Sequence, residues 1–183
     1  MFGKNASSYT GGLSISKDFS KMATMTTWKH TWDAIARKGF DNLAPEDAPG
    51  CLLACEILPA FTADMIQTAL RNFQPSGFPH DDLLELSMRF LEAMKPHRAG
   101  LAGIREVLLT DPSRLVPLLL PFAGEMDRLV ETAGLRTSPR AGIFHSLKLM
   151  AALAKCFPVF LEDTTPELKA TLACLAQKLR AAA

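Results

Sequence analysis

Prolines that directly follow helix-capping residues divide the second half of this chain into predicted helices. Proline follows a capping residue at Asp111-Pro112, Ser138-Pro139 and Thr165-Pro166. Proline is favoured at the first position of a helix because its missing N–H is not needed there. Between these points apolar residues recur every three or four positions, and no useful stretch alternates as a strand would. The sequence therefore predicts an all-α fold of about eight or nine helices.

Composition and punctuation divide the 183 residues into three parts. Residues 1–25 are rich in Ser and Thr and contain Gly11-Gly12, so we expect a flexible arm. Residues 26–74 hold one well-patterned helix and then shorter helical pieces, which together would form a small head. Residues 80–183 hold longer, more apolar helices, which we expect to form the body of the protein.

The head is predicted helix by helix. The first helix should end at Gly39 and bury one apolar face made of Trp28, Trp32, Ile35 and Ala36. The segment "CLLACEIL" (51–58) should be a short helix that stops near Pro59, because proline removes a helical hydrogen bond. A longer helix should then begin at Thr62.

Two boundaries in the body are also predicted. Pro117 and Pro121 each remove an intrahelical hydrogen bond, so we expect a bend or a break in the helix that contains them. Thr164 and Glu167 have the spacing of a capping box, which would begin the last helix near Pro166.

Charge and targeting signals limit the classes of protein. The formal net charge of +1 argues against a protein that binds nucleic acid over its whole surface. No run approaches ~18 uninterrupted apolar residues, so we expect no transmembrane helix. Residues 1–25 lack the apolar core of a secretory signal. We therefore expect a cytoplasmic protein, with peripheral membrane association as an option. The mitochondrial matrix is the less favoured alternative, since the first arginine is Arg37.

No residues form a recognisable catalytic or metal-binding motif. His145 and Ser146 are adjacent, but adjacent helical side chains point about 100° apart and do not face each other. Cys51, Cys55, Cys156 and Cys174 lack zinc-site spacing, so we interpret them as buried thiols. We expect a protein that is not an enzyme and holds neither a cofactor nor a metal.

Two segments of the head resemble the TetR-like family. "AIARKGFDNL" (34–43) is similar to that family's first helix and its Gly-aromatic exit, and "PAFTADMIQTAL" (59–70) is similar to the junction after its recognition helix. The resemblance implies a homodimer formed through the last two helices, residues 139–181. The tail "FLEDTTPELKATLACLAQKL" resembles one branch that includes the lipid-binding accessory proteins of ubiquinone biosynthesis.

The head departs from that family in its charge. No Lys or Arg lies between Lys38 and Arg71, and the recognition-helix position holds the apolar "CLLACEIL". Phosphate contacts require basic side chains and base contacts require polar ones. We therefore expect a degenerate head that no longer binds DNA.

The resemblance also implies a site for an apolar ligand between the body helices. A lipid or isoprenoid-like molecule is the expected ligand, and the same side chains could instead form an ordinary filled core. The candidate lining is Leu86, Phe90, Met94, Leu101, Ile104, Leu118, Phe122, Phe144, Leu147 and Met150. Two other functions stay open. One is a repressor that contacts DNA through Lys17, Lys21 and Lys29, and the other is a structural adaptor that binds a protein partner through the head.

Overall fold

The computed structural model describes residues 25–48, 54–111, 113 and 116–180. No strand lies within these ranges, so the prediction of an all-α fold is confirmed. Residues 1–24 of the proposed arm and the Cys51 position lie outside them, whereas Met25, the last residue of that arm, begins the first helix. The described residues form seven α-helices: α1 (Met25–Lys38), α2 (Ala54–Leu70), α3 (Pro79–Met94), α4 (Arg98–Thr110), α5 (Val116–Thr132), α6 (Pro139–Glu162) and α7 (Lys169–Arg180). Single 3-10 turns cover Phe40–Asn42, Pro45–Asp47 and Lys95–His97.

The helices pack around one continuous core. Helix α1 lies along α4, α2 packs against both α3 and α5, and α6 packs between α5 and α7. The largest fully buried side chains are aromatic and come from four different helices: Trp32, Phe61, Phe90 and Phe160. Truncating a buried aromatic side chain to Ala typically costs about 3–5 kcal/mol, so these four residues fix how the helices meet.

Helix α1 is held to α2 by edge-to-face aromatic contacts. The Phe61 ring centroid lies 5.4 Å from that of Trp28 and 4.5 Å from that of Trp32. The predicted burial of Trp28, Trp32 and Ile35 is confirmed, but Ala36 is exposed. Ala36 lies at the edge of that helical face and Ala34 is buried in its place. Gly39 follows the helix with φ 81°, a conformation that glycine adopts without strain.

The predicted break near Pro59 is wrong. Helix α2 runs from Ala54 through Pro59 to Leu70 without interruption. Ile57 and Phe61 flank the proline and are both buried in the core. Their burial outweighs the single helical hydrogen bond that the proline removes. From Ala54 onward, the predicted short helix and the longer one after it are therefore a single helix.

Helix α5 is not broken at Pro121, so the break is the part of the predicted bend or break that is wrong. Helix α5 continues through Pro121 to Thr132, and Pro117 lies in its first turn, where proline is tolerated. Met126, Leu129 and Val130 are fully buried on the inner side of this helix. Packing of the residues after Pro121 therefore maintains the helix that the sequence pattern interrupts.

The last helix begins later than the capping-box spacing predicts. Helix α7 starts at Lys169, and Leu168 before it is buried with φ 51°. Asp163 caps this end: Oδ2 accepts hydrogen bonds from Thr171 N at 2.9 Å and Thr171 Oγ1 at 2.8 Å, while Oδ1 accepts from Thr165 N at 3.1 Å. Glu167 instead lies at the surface, beside Lys169.

Candidate functional site

Helix α6 exposes three large apolar side chains, which we name the α6 ridge. Ile143, Phe144 and Leu147 are 63%, 55% and 56% exposed. They are neighbours on the helix surface because residues three and four apart lie on the same side. Exposed Ala151 and Ala154 extend the same face toward the C-terminus. Exposed apolar patches are common at surfaces that contact other molecules, so the α6 ridge is the candidate functional site.

The opposite face of α6 is anchored in the core. Ser146, Leu149, Leu153, Cys156 and Phe160 are all buried there. Because α5 and α7 cover this side, the ridge side is the one that remains available. By length and composition alone, helix α6 is long and apolar enough to cross a membrane. This differs from the expectation from the sequence that the chain has no transmembrane helix. Within the most apolar part of α6, 33% of the residues are buried inside the protein.

The first turns of α6 are fixed by polar contacts. The predicted Ser138 cap is confirmed, since its side chain accepts a hydrogen bond from Ala141 N at 3.2 Å. Arg136 pairs with Asp127 of α5 at 3.1 Å. A Cβ on Gly142 would lie 3.2 Å from the Asp127 carboxylate, a tight contact that the smaller glycine avoids. The start of the ridge is therefore held by polar contacts to the end of α5.

Basic side chains border the ridge. Arg140 and Lys155 are exposed, and Lys148 Nζ lies 4.4 Å from the Phe144 ring centroid. On a helix these three positions lie on the same half as the ridge, at 100° per residue. No Asp or Glu lies between Pro139 and Leu161. We name Arg140, Lys148 and Lys155 the basic border.

A pair of histidines extends this surface to the start of α3. The rings of His80 and His145 lie 6.4 Å apart, and Phe78, just before α3, is 68% exposed. Burial lowers the pKa of His145, and the charges of Lys148 and His80 lower it further. These effects favour the neutral imidazole of His145, and its protonation in acid would add positive charge beside the ridge.

The predicted ligand-lining residues separate into three groups. Leu86, Phe90, Met94, Leu101 and Ile104 are buried in the core. Phe122 and Met150 are half-buried and pack against that core. Phe144 and Leu147 are exposed, and the side chain of Leu118 lies outside the described residues. Two of the ten thus belong to the surface ridge rather than to the interior.

One small cavity adjoins Phe122. It lies among Leu58, Pro59, Thr62 and Phe122 and has a volume of about 10 Å³. That volume is close to the minimum for one water molecule. It is therefore far too small for an isoprenoid chain.

The His97 imidazole and the Trp32 indole N–H are buried where α1, α2 and the start of α4 meet. His97 stacks edge to face on Phe61 with ring centroids 5.2 Å apart. Among the described residues, neither imidazole nitrogen has a hydrogen-bond partner, and neither does Trp32 Nε1. Burial lowers the pKa of His97, although the Asp33 carboxylate opposes that shift. We name Trp32, Phe61 and His97 the aromatic junction.

The adjacent His145 and Ser146 do not form a catalytic pair. The Ser146 hydroxyl lies 2.9 Å from the Gly142 carbonyl oxygen and 3.2 Å from Asp127 Oδ1, facing the interior. His145 instead faces His80. Over the part of the chain that the structure describes, no three His, Cys, Asp or Glu side chains are arranged to hold a metal.

Sequence reasoning missed Ile143 and the basic border. The signal was present in the spacing of Arg140, Ile143, Phe144 and Leu147 along one helical side. It was obscured because α6 is apolar on nearly every side, so periodicity does not distinguish its buried face.

The fold defines the chain as an all-α protein. Comparison with protein-family models, curated proteins and solved structures finds no match for it.

Proposed function

We propose that this chain is a non-catalytic, TetR-like protein that no longer binds DNA and instead binds lipid through the α6 ridge. The carrying observation is an exposed apolar ridge with a basic border and no acidic residue from Pro139 to Leu161. A surface that combines exposed apolar side chains with basic ones can bind at a membrane interface, where the apolar groups enter between lipid headgroups and the charges meet anionic lipid. The proposed ligand is an anionic lipid surface.

Magnitudes favour reversible attachment. Burying the exposed half of the three ridge side chains contributes about 3 kcal/mol. Three basic residues near an anionic surface contribute about 1 kcal/mol each. The sum, about 6 kcal/mol, corresponds to an association constant on the order of 10⁴ M⁻¹. That is similar to the weak, reversible binding given by one myristoyl chain.

The charge of the head supports the loss of DNA binding. Helix α2 carries Glu56 and Asp64 but no Lys or Arg. Asp64 accepts a hydrogen bond from Trp28 Nε1 at 2.9 Å, so this carboxylate has a structural role between α1 and α2. Neutralising DNA phosphates requires the basic side chains that this helix lacks.

Homodimerisation through residues 139–181 is the second candidate, on the same face. Exposed Phe144, Leu147, Ala151 and Ala154 follow the three-four-three spacing of a helix–helix seam. Leu172 of α7 is also exposed. A two-fold axis at this seam would bring the two basic borders together, and like charges repel. Lipid is therefore the first candidate and the dimer the second.

Co-sedimentation with vesicles tests the lipid proposal. The protein should sediment with phosphatidylglycerol-containing vesicles about 100-fold more strongly than with neutral phosphatidylcholine vesicles. Added salt should weaken that binding. The double variant Phe144→Ser/Leu147→Ser should lose it. Leu109→Ser is the matched control, because Leu109 is 64% exposed on α4, outside the ridge.

Sedimentation velocity without lipid separates the two candidates. A monomer that binds anionic vesicles supports the lipid proposal. A dimer that the double variant dissociates, together with no vesicle binding, would replace it with the dimer.

A role in ubiquinone biosynthesis rests on the resemblance of the tail alone. Native mass spectrometry of freshly purified protein tests that role, since it requires a retained isoprenoid quinone.

A further inference from the structure

Two cysteines meet between α6 and α7. Cys156 Sγ and Cys174 Sγ lie 2.8 Å apart, and both are free thiols. A disulfide bond is about 2.05 Å long, so the sulfur atoms need to approach by only about 0.75 Å. Helices α6 and α7 pack along each other, which holds the two thiols at this distance.

The two thiols differ in accessibility. Cys156 is 1% exposed, whereas Cys174 is half-buried. Burial, the hydrogen bond with Cys174 and the charge of Cys174 together raise the pKa of Cys156 to about 12, although the charge of Lys178 opposes that shift. Thiolate character and exposure determine which cysteine reacts first. Cys174 is therefore the residue that meets an external reagent, and Cys156 stands behind it.

We propose that Cys156 and Cys174 form an oxidation site that a small-molecule disulfide, such as oxidised glutathione, converts into an intramolecular disulfide linking α6 to α7. This site is independent of the lipid-binding surface. Cys156 lies on the buried side of α6, away from the ridge. The two cysteines are 18 positions apart, and the chain between them forms a closed loop when the bond forms.

The reaction proceeds in two exchange steps. The Cys174 thiolate attacks one sulfur of the reagent, which forms a mixed disulfide and releases one glutathione thiolate; that thiolate takes up the proton lost by Cys174. The Cys156 thiolate then attacks the Cys174 sulfur, which releases the second glutathione, and this takes up the proton from Cys156. Two protein thiols are oxidised by two electrons while one glutathione disulfide is reduced to two thiols.

Peptide mapping tests the site directly. Trypsin places Cys156 in peptide 156–169 and Cys174 in peptide 170–178, while Cys51 and Cys55 share peptide 39–71. The full-length native protein is equilibrated with oxidised glutathione, alkylated and digested. We expect peptides 156–169 and 170–178 to be joined, and the melting temperature to rise by on the order of 5–10 °C.

Variants and a denatured control make the result decisive. In Cys156→Ser, glutathione should stay on peptide 170–178, and in Cys174→Ser, peptide 156–169 should carry no adduct. In guanidinium chloride the preference for this pair should disappear, because the helices no longer hold the thiols together. Peptides that remain separate and fully alkylated in the native protein would overturn the proposal. Equal linkage in native and denatured protein would also overturn it.

Discussion

The aromatic junction and the turn between α6 and α7 both bury polar groups, but they satisfy them differently. At the junction, the imidazole nitrogens of His97 and Nε1 of Trp32 have no hydrogen-bond partner among the described residues. At the turn, each carboxylate oxygen of Asp163 accepts two hydrogen bonds. Packing therefore stabilises the junction in spite of its polar atoms, whereas the polar atoms themselves stabilise the turn.

The turn is also connected to the helix that begins beside the junction. Arg98, the first residue of α4, donates from Nη1 to the Asp163 carbonyl oxygen at 2.5 Å. Its guanidinium carbon lies 4.6 Å from the Phe160 ring centroid. Asp163 thus joins the start of α7, the end of α6 and the start of α4. Loss of the Asp163 side chain should therefore lower the stability of the whole fold.

Asp163→Ala should produce the largest effect. The substitution removes four hydrogen bonds and leaves Thr171 N buried without its partner. Each unsatisfied buried group costs about 1–3 kcal/mol, so we expect a loss of about 3–4 kcal/mol in the free energy of unfolding, measured by urea denaturation. Glu167→Ala is the control, because the capping-box prediction assigns that residue the role that Asp163 fills. An equal loss in the two variants would contradict our description of the turn.

Gly100→Ala tests how tightly the junction is packed. A Cβ at Gly100 would lie 2.6 Å from the Trp32 carbonyl oxygen and 2.7 Å from its Cε3 atom. Overpacking of this kind typically costs about 1–3 kcal/mol.

Gly103→Ala is the matched control on the same helix. A Cβ there meets Ile35 Cγ2 at 3.8 Å, an ordinary contact. We expect it to raise the free energy of unfolding by about 0.5–1 kcal/mol, because alanine favours the helix. If both substitutions stabilise the protein in thermal melts, the junction is looser than described.

The two regions also differ in how far sequence can predict them. The burial of Trp28, Trp32 and Ile35 follows from helical spacing, because a single helix face carries that information. The Asp163–Thr171 contact spans eight positions around Leu168 and does not follow any local pattern. The capping-box motif pointed to Thr164 and Glu167 instead.

Tertiary packing accounts for the remaining errors. Pro59 and Pro121 are local signals for a break, but Ile57 and Phe61 are buried on either side of Pro59, and Met126, Leu129 and Val130 are buried after Pro121. The α6 ridge was only partly found because α6 is apolar on most sides. Which of its faces stays exposed depends on where α5 and α7 pack, and that information is absent from α6 itself.

The smallest expected effect is on the pH dependence of stability, which should differ between the junction and the turn. Burial lowers the pKa of His97 below its ordinary 6.5, so the unfolded chain binds a proton more readily than the native protein. Stability should therefore fall as pH drops below about 6.5. Asp163 behaves differently: burial raises its pKa, but the hydrogen bonds from Thr165 and Thr171 outweigh burial and hold it well below the ordinary 3.8. Its contribution is complete above pH 3.8 and is lost only in stronger acid.

His97→Leu should isolate the junction's share of that pH dependence. At pH 7.5 it should be neutral or stabilising by up to about 1 kcal/mol, since it removes an unpartnered imidazole from an apolar site. Between pH 7.5 and 5 it should lose less stability than the parent protein, as measured by urea denaturation at each pH. His145→Leu serves as the comparison, because the pKa of His145 is also lowered but its ring lies by the ridge. If the free energy of unfolding of His97→Leu falls with pH as steeply as that of the parent protein, the junction does not disfavour the charged imidazole. The proposed difference between the junction and the Asp163 turn would then be wrong.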